Sequence, residues 1–282
     1  DAAALIVTTT TGDIYLRETD ALFLSASSID FTNPLAITGS DIDVRSSTGN
    51  MTLGLVSALG SVTLHATGGS ILDGNAVTPT GDLRNVAGNT LDLVASSGIG
   101  TSSEGLETSV NSLTANGGAG GGLVLTNNKA LTLTSATATG GAVSISATGN
   151  LTLGTVTATG QSATLSAAGQ LIDANGSTLN IAAASATLTG STVGSSGDKI
   201  ETNVGTITAA TTTGGIFVSN TGDLALTASA LGQAADIDID TTGNIVLGAA
   251  TAQGDTVKLR AGGSITDGND PPVTVNITAK KL

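Results

Sequence analysis

From Asn150 the chain reads NLTLGTVTATGQSATLSAAG, with apolar and polar residues alternating in short bursts. Leu151 and Leu153 point to one side, and Gly154 turns the chain. Val156 and Ala158 form the next inward pair, Gly160 marks a corner, and Ala163, Leu165 and Ala167 form a third inward set. A period of two interrupted at glycines predicts half-buried strands that bend at fixed corners, because successive strand side chains face opposite ways. Three such strands in ~20 residues make one rung of a parallel β-solenoid. No long window favours the helical period.

The pattern recurs at longer range. GNMTLG begins at Gly49, GNLTLG at Gly149 and GNIVLG at Gly243, so the offsets are 149 − 49 = 100 and 243 − 149 = 94. ILDGN from Ile71, LIDAN from Leu171 and ITDGN from Ile265 keep step with them, and LETSVNSLTA from Leu106 returns as IETNVGTITA from Ile200. Self-similarity at a fixed spacing marks a repeat architecture, in which each unit buries its apolar face against its neighbours. Met51, Leu151 and Ile245 share one slot and Leu53, Leu153 and Leu247 another, followed by Gly54, Gly154 and Gly248 at a corner. The slot after Leu64, Leu165 and Leu259 holds His65, Ser166 and Arg260. Inward slots stay apolar while outward slots accept any polar residue, as a one-sided β surface requires.

The expectation is therefore an all-β, single-stranded parallel β-helix, continuous over residues 1–282, with super-repeat boundaries near 49, 149 and 243. Stacking predicts a shared apolar column for Leu53, Leu153 and Leu247. At ~20 residues per rung and ~4.8 Å between rungs, ~14 rungs would reach ~65 Å. IVTTTTGDIYLRETDALFLSAS from Ile6 parallels ITAATTTGGIFVSNTGDLALTAS from Ile207, and VTVNITA from Val273 parallels STLNIAA from Ser177. Both ends are thus expected to fall inside a unit, as in a segment of a longer repetitive protein, with a self-stacking subunit as the second choice.

Composition narrows the core. There are 39 glycines and 47 threonines, yet the aromatics are only Phe23, Phe31, Phe217 and Tyr15. Aromatic side chains usually bury the most area, so this interior must be narrow and filled by Ala, Val, Leu and Ile. Positive mean hydropathy with periodic apolar residues argues against disorder. Nine basic against 22 acidic residues give a net charge of −13, which disfavours nucleic acid as a partner. The absence of cysteine excludes disulfides and thiolate metal sites, and fits export. No apolar run approaches the ~20 residues that span a bilayer.

Candidate chemistry is sparse. Asp236, Asp238 and Asp240 alternate with Ile237 and Ile239, so the three carboxylates share one face. Such a row could hold Ca²⁺ or imitate a glycosidase pair. The matching stretches, DIDVR from Asp41 and VSIS from Val143, mark an ordinary exterior slot and favour a solvated face. Asp73, Asp173 and Asp267 recur with Asn75, Asn175 and Asn269 two residues on. This spacing predicts Asx-type turns, since one carboxylate and one amide supply too few oxygens for calcium. Glu107 and Glu201 read as surface residues at a corner. His65 is the only histidine, so a hydrolytic triad or a His-based metal site is poorly supported.

GGAGGG from Gly117 lacks the lysine of a phosphate-binding loop and reads as flexible. Thr155, Thr157 and Thr159, with Thr137 and Thr139, suggest an ice-binding row, but the matching positions drift to Val56, Ser57 and Ala58 and to Ala249, Ala250 and Thr251. Threonine's fit to pleated surfaces explains them better. Arg17, Arg45, Arg84, Lys258 and Arg260 form no evident cluster in the sequence, which disfavours a β-helix polysaccharide lyase. No residue is assigned to catalysis, a cofactor or a metal.

GNLTLGTVTATG, GQLIDAN, and IETNVGTITA followed by GGIFVSNTGDLAL resemble units of large bacterial β-strand-repeat exoproteins of the filamentous-haemagglutinin type, along essentially the whole chain. The resemblance is one of repeat style. It implies a right-handed parallel β-helix, secretion through a partner pore in the outer membrane, and a non-catalytic stalk or fibre role on the cell surface. The partners it implies are flanking repeats or end-to-end copies, with a host, neighbouring-cell or glycan surface beyond. The secretion domain of such proteins has no counterpart in this sequence. A self-assembling fibre subunit and a pectate-lyase-like enzyme are the alternatives.

Overall fold

The computed structural model describes residues 5–9, 12–28, 40–75, 83–253, 255–269 and 275–281. Phe31, and Val273 and Thr274 of the C-terminal phrase, lie outside the described residues. The fold is all-β: parallel strands stack as a β-solenoid of about 10 turns, roughly 21 residues apart. Among the described residues there are 26 strands and no helix long and apolar enough to cross a membrane. The chain divides into two compact units, Asp1–Ile145 and Ser146–Leu282.

Each unit is built from two ladders. In the first unit one ladder runs through Ile14–Glu18, Ile42–Ser46, Ser61–Ala66, Thr90–Ala95, Ser112–Asn116 and Leu131–Ala138. The other runs through Leu5–Thr9, Leu22–Ser28 and Met51–Ala58, then splits onto Ile71–Asp73 and Val86–Ala87. It continues through Leu106–Ser109 to Leu123–Asn127.

In the second unit the first half of Leu151–Ala167 pairs with Leu171–Asp173 and with the start of Ile181–Gly190. That ladder continues through Val193 and Ile200–Asn203 to Ile216–Asn220, Ile237–Thr241 and Val257–Ala261. The opposite ladder takes the remainder of Leu151–Ala167 and of Ile181–Gly190, then Thr206–Thr211, Leu224–Ala230, Ile245–Ala252 and Ile265–Asp267.

The predicted inward set is buried in full: Leu151, Leu153, Val156, Ala158, Ala163, Leu165 and Ala167 all face the core. The three segments form one continuous strand, whose register against the next rung shifts between Ala158 and Ser162. Fully burying each Leu or Ile contributes roughly 1.5–3 kcal/mol, and neither Tyr15 nor Phe217 is buried. At Gly248 the predicted corner is a β-bulge: Leu226 pairs with Leu247 but Thr227 with Ala249, which leaves the glycine as the extra residue.

Two expectations need correction. Turns are fewer than ~14, because some ladder partners lie well over 20 residues apart in sequence. Ladder partners Leu22 and Met51 are 51 − 22 = 29 residues apart, and Ile71 and Ile99 are 99 − 71 = 28. Leu153 and Leu247 also do not share a column. The ladder of Leu151 climbs four steps, through Leu171, Val193 and Ile216 to Ile237. Ile245, the counterpart of Leu151, then falls in the opposite ladder against Leu224. A unit of 245 − 151 = 94 residues therefore spans about four and a half turns, close to 21 residues each, and equivalent residues alternate between ladders. Both leucines stay buried.

Candidate functional site

The recurrent Asp-x-Asn phrase sits at the ends of three short strands. Ile71–Asp73, Leu171–Asp173 and Ile265–Asp267 are three-residue strands, and each aspartate accepts the backbone N–H two residues on, at 2.8, 3.0 and 2.8 Å. The Asx turn is as expected from sequence.

Sequence reasoning missed the partner. Asn85, Asn180 and Asn276 directly precede the strands that begin at Val86, Ile181 and Ile277, and each donates Nδ2 to the aspartate Oδ1, at 2.5, 2.7 and 2.9 Å. The same amides donate to the carbonyls of Leu53, Leu153 and Leu247 in the rung before. Asn85 and Asn180 accept in turn from the N–H of Glu107 and Glu201 in the rung after. A side-chain amide thus replaces the peptide group missing from the ladder. That is what allows Asn85 and Asn180 to be fully buried. The hydrogen bonds to Asp267 from Asn269 and then Asn276 hold its carboxyl below the ordinary value.

Around Asp173 the node opens onto a cavity of about 360 Å³, lined by Gln170, Asp173, Thr192, Ser195, Asp198 and Phe217 among others. Glu107 and Glu201 are not corner residues; they lie in Leu106–Ser109 and Ile200–Asn203. Burial pushes the Glu201 carboxyl up, and the charge of Asp173 pushes it further. Asp198 is raised by its hydrogen bond to Asp173 and by that residue's charge.

The Asp236–Asp238–Asp240 stripe is not simply a solvated face. Lys199 Nζ lies 2.7 Å from Asp238 and 2.6 Å from Asp240, and Arg260 Nη2 lies 2.7 Å from Asp238. Lys258 approaches Asp238 at 3.6 Å, and Arg260 also pairs with Asp240. Lys258 and Arg260, scattered in the sequence, are brought into register with Asp238 and Asp240 by the rung spacing. Burial works against the charged form of Asp240, but hydrogen bonds from Arg260 and Lys199 outweigh it and lower the carboxyl. Asp236 has a different task, accepting the N–H of Thr256 as Asp41 accepts that of Ser61.

His65 is stacked beside Arg45, which in turn pairs with Arg17 in register. Arg45 Nη1 lies 3.0 Å from His65 Nδ1, and His65 Nε2 lies 3.0 Å from Asp92. If Arg45 donates, the ring is the Nε2–H tautomer with both nitrogens occupied, which leaves no lone pair for a general base. The glycine run from Gly117 is not a flexible loop either. A side chain at Gly118 (φ +70°) would place its Cβ 2.5 Å from the Ser96 carbonyl, so this corner is closely stacked.

Among the described residues no three acidic, imidazole or thiol groups converge to hold a metal ion. In comparisons with protein-family models, curated proteins and solved structures, nothing matches the chain.

Proposed function

We propose that this chain is a rigid, non-catalytic stalk or fibre segment of a secreted bacterial surface protein of the filamentous-haemagglutinin type. The observation that carries the reading is how the recurrent polar residues are used. In all three copies the Asp-x-Asn phrase and its returning asparagine bind backbone and one another. A residue repeated to close a ladder serves length and stiffness, because every added unit needs the same closure. The test is surface labelling of intact source cells with antibody to this segment, combined with single-molecule pulling. The reading expects external label and stepwise loss of rungs at high force. Label only after permeabilisation would refute it.

Stacking against further rungs belongs to the same proposal. Ile265 fills the slot of Ile71 and Leu171, which are fully buried, yet it is 49% exposed. A further rung, from flanking repeats or from another copy, would cover it. Concentration-dependent filament growth of the isolated chain would favour copies over flanking repeats.

A carbohydrate-active enzyme is the second reading, favoured by Lys199 and Arg260 meeting Asp238 and Asp240 on one face. Cleavage of polygalacturonate or another acidic glycan would replace the first reading with this one.

A further inference from the structure

The cavity beside Asp173 holds a charge imbalance that a purely structural role leaves unused. Asp173 is only 6% exposed, and its Oδ1 already accepts from Asn175 and Asn180. Its Oδ2 is buried with no hydrogen-bond donor, and so is Glu201 Oε2. Asp198 contributes a third carboxyl from the cavity lip, in contact with Asp173. The adjacent cation, Lys199, is directed to Asp238 and Asp240. A buried carboxylate oxygen with neither donor nor counter-charge is costly, and a positive ion relieves it.

We infer that this cavity binds a hydrated divalent cation of the calcium or magnesium kind, with Asp173 Oδ2 and Asp198 as direct ligands and Glu201 as the adjoining charge. Hard cations take oxygen ligands, and magnesium in particular keeps several waters while using one or two carboxylates. That suits a site where two carboxylates meet without a third converging on the same point. The cavity has room for water, and the side chains of Thr192 and Ser195 line it. Neither thiol nor imidazole is present to select a softer metal.

The acids recur as a set, which an accident of one loop would not produce. GTSSEGLE from Gly100 matches GSSGDKIE from Gly194, so Glu104 and Glu107 stand where Asp198 and Glu201 stand, across from Asp73 in place of Asp173. Ser103 gives way to Gly197 and Gly105 to Lys199, but both acids are kept. Both loops close alike, Thr101 N–H to the Glu104 carbonyl at 2.6 Å and Ser195 N–H to the Asp198 carbonyl at 2.8 Å. Asp73 Oδ2 is also buried without a donor.

The test is calorimetric titration of chelator-treated, desalted protein with CaCl₂ and separately with MgCl₂ at neutral pH. Asp198→Asn and the Asp198→Asn/Glu201→Gln double variant run alongside, with NaCl at matched ionic strength. Asp198 is exposed, so Asp198→Asn should fold, and circular dichroism will verify it. The expected result is saturable uptake of one ion or the other by the wild type, with one ion fewer per chain in the variants. No saturable binding of either ion, unchanged isotherms in folded variants, or heats reproduced by NaCl would each overturn the inference.

Discussion

Asn180 Nδ2 lies 2.7 Å from Asp173 Oδ1, at the point where the chain leaves the stack and comes back. The same bond joins Asn85 to Asp73 and Asn276 to Asp267, across separations of 180 − 173 = 7, 85 − 73 = 12 and 276 − 267 = 9 residues of sequence. An excursion of any length leaves the same carbonyls of the previous rung without a strand beside them. One amide, donating down and accepting from above, restores the ladder. This is how a solenoid tolerates insertions of unequal length without losing register.

Replacing that amide should therefore be expensive. Asn180→Ala strips Leu153, Gly154 and Asp173 of a donor and the Glu201 N–H of its acceptor. Leaving buried polar groups unpaired costs about 1–3 kcal/mol each where relaxation does not help, so a net loss of roughly 3 kcal/mol is expected. Asn175→Ala keeps the Asx turn, which uses the backbone N–H, and should cost about 1 kcal/mol. Urea midpoints of the two variants check the ranking; equal losses would contradict it.

The inward and outward faces were legible because alternation is local: all seven inward residues from Leu151 to Ala167 follow from it alone. The Asx turns were legible for the same reason, since donor and acceptor are two residues apart. Asn180 was not, because its distance from Asp173 varies from copy to copy. The nearest signal is an asparagine followed by an apolar strand, as in Asn85–Val86, Asn180–Ile181 and Asn276–Ile277. Lys199 reaching Asp238 from 39 residues away is a product of rung stacking and has no local signature. The alternation of Leu153 and Leu247 between ladders depends on turn length to within half a turn, which repeat phrases do not encode.

The core prediction separates the two faces of one strand. Leu153→Ala removes a fully buried side chain and should cost about 2–5 kcal/mol. Thr155→Ala, two residues along on the exposed face, should stay within about 0.5 kcal/mol of the wild type. Thermal unfolding followed by circular dichroism measures both, and a large effect at Thr155 would place it in a contact the fold does not contain.

Lys199→Met tests the ion-pair group. The side chains of Lys199 and Asp238 are 16% and 18% exposed, so the pair is less screened than one at the surface, and about 1–2 kcal/mol should be lost. A double-mutant cycle with Asp240→Asn should return a coupling of about 1 kcal/mol. Strict additivity would mean that Arg260 alone neutralises Asp240.

Glycine geometry gives a paired prediction. Gly118 and Gly160 both have positive φ, +70° and +68°, but a Cβ on Gly118 meets the Ser96 and Ala95 carbonyls at 2.5 and 2.6 Å while one on Gly160 meets nothing within 4 Å. Gly160→Ala should cost only the left-handed penalty of about 1–2 kcal/mol. Gly118→Ala must also displace backbone and should cost clearly more. Matching denaturation midpoints would show that the corner at Gly118 has slack.

The carboxyls predict a stability maximum on the acid side of neutrality. Glu201 is raised by burial and then by Asp173, so between the ordinary glutamate value and its folded value the native state binds more protons than the unfolded chain. Stability therefore falls as pH rises through that window and recovers on acidification. Asp240, held low by Arg260 and Lys199 against burial, and Asp267, held low by Asn269 and Asn276, act oppositely. Their contribution is present above the ordinary aspartate value and is lost as pH falls towards their folded values. Melting temperatures from about pH 8 to about pH 3, in chelator, should thus rise and then fall, since the two limbs sit on either side of ordinary carboxylate titration. Asp198, raised by its hydrogen bond to Asp173 and that residue's charge, adds to the same limb, so Glu201→Gln should shrink the rise while leaving the acid limb in place; an undiminished rise in this variant would assign it to Asp198 instead.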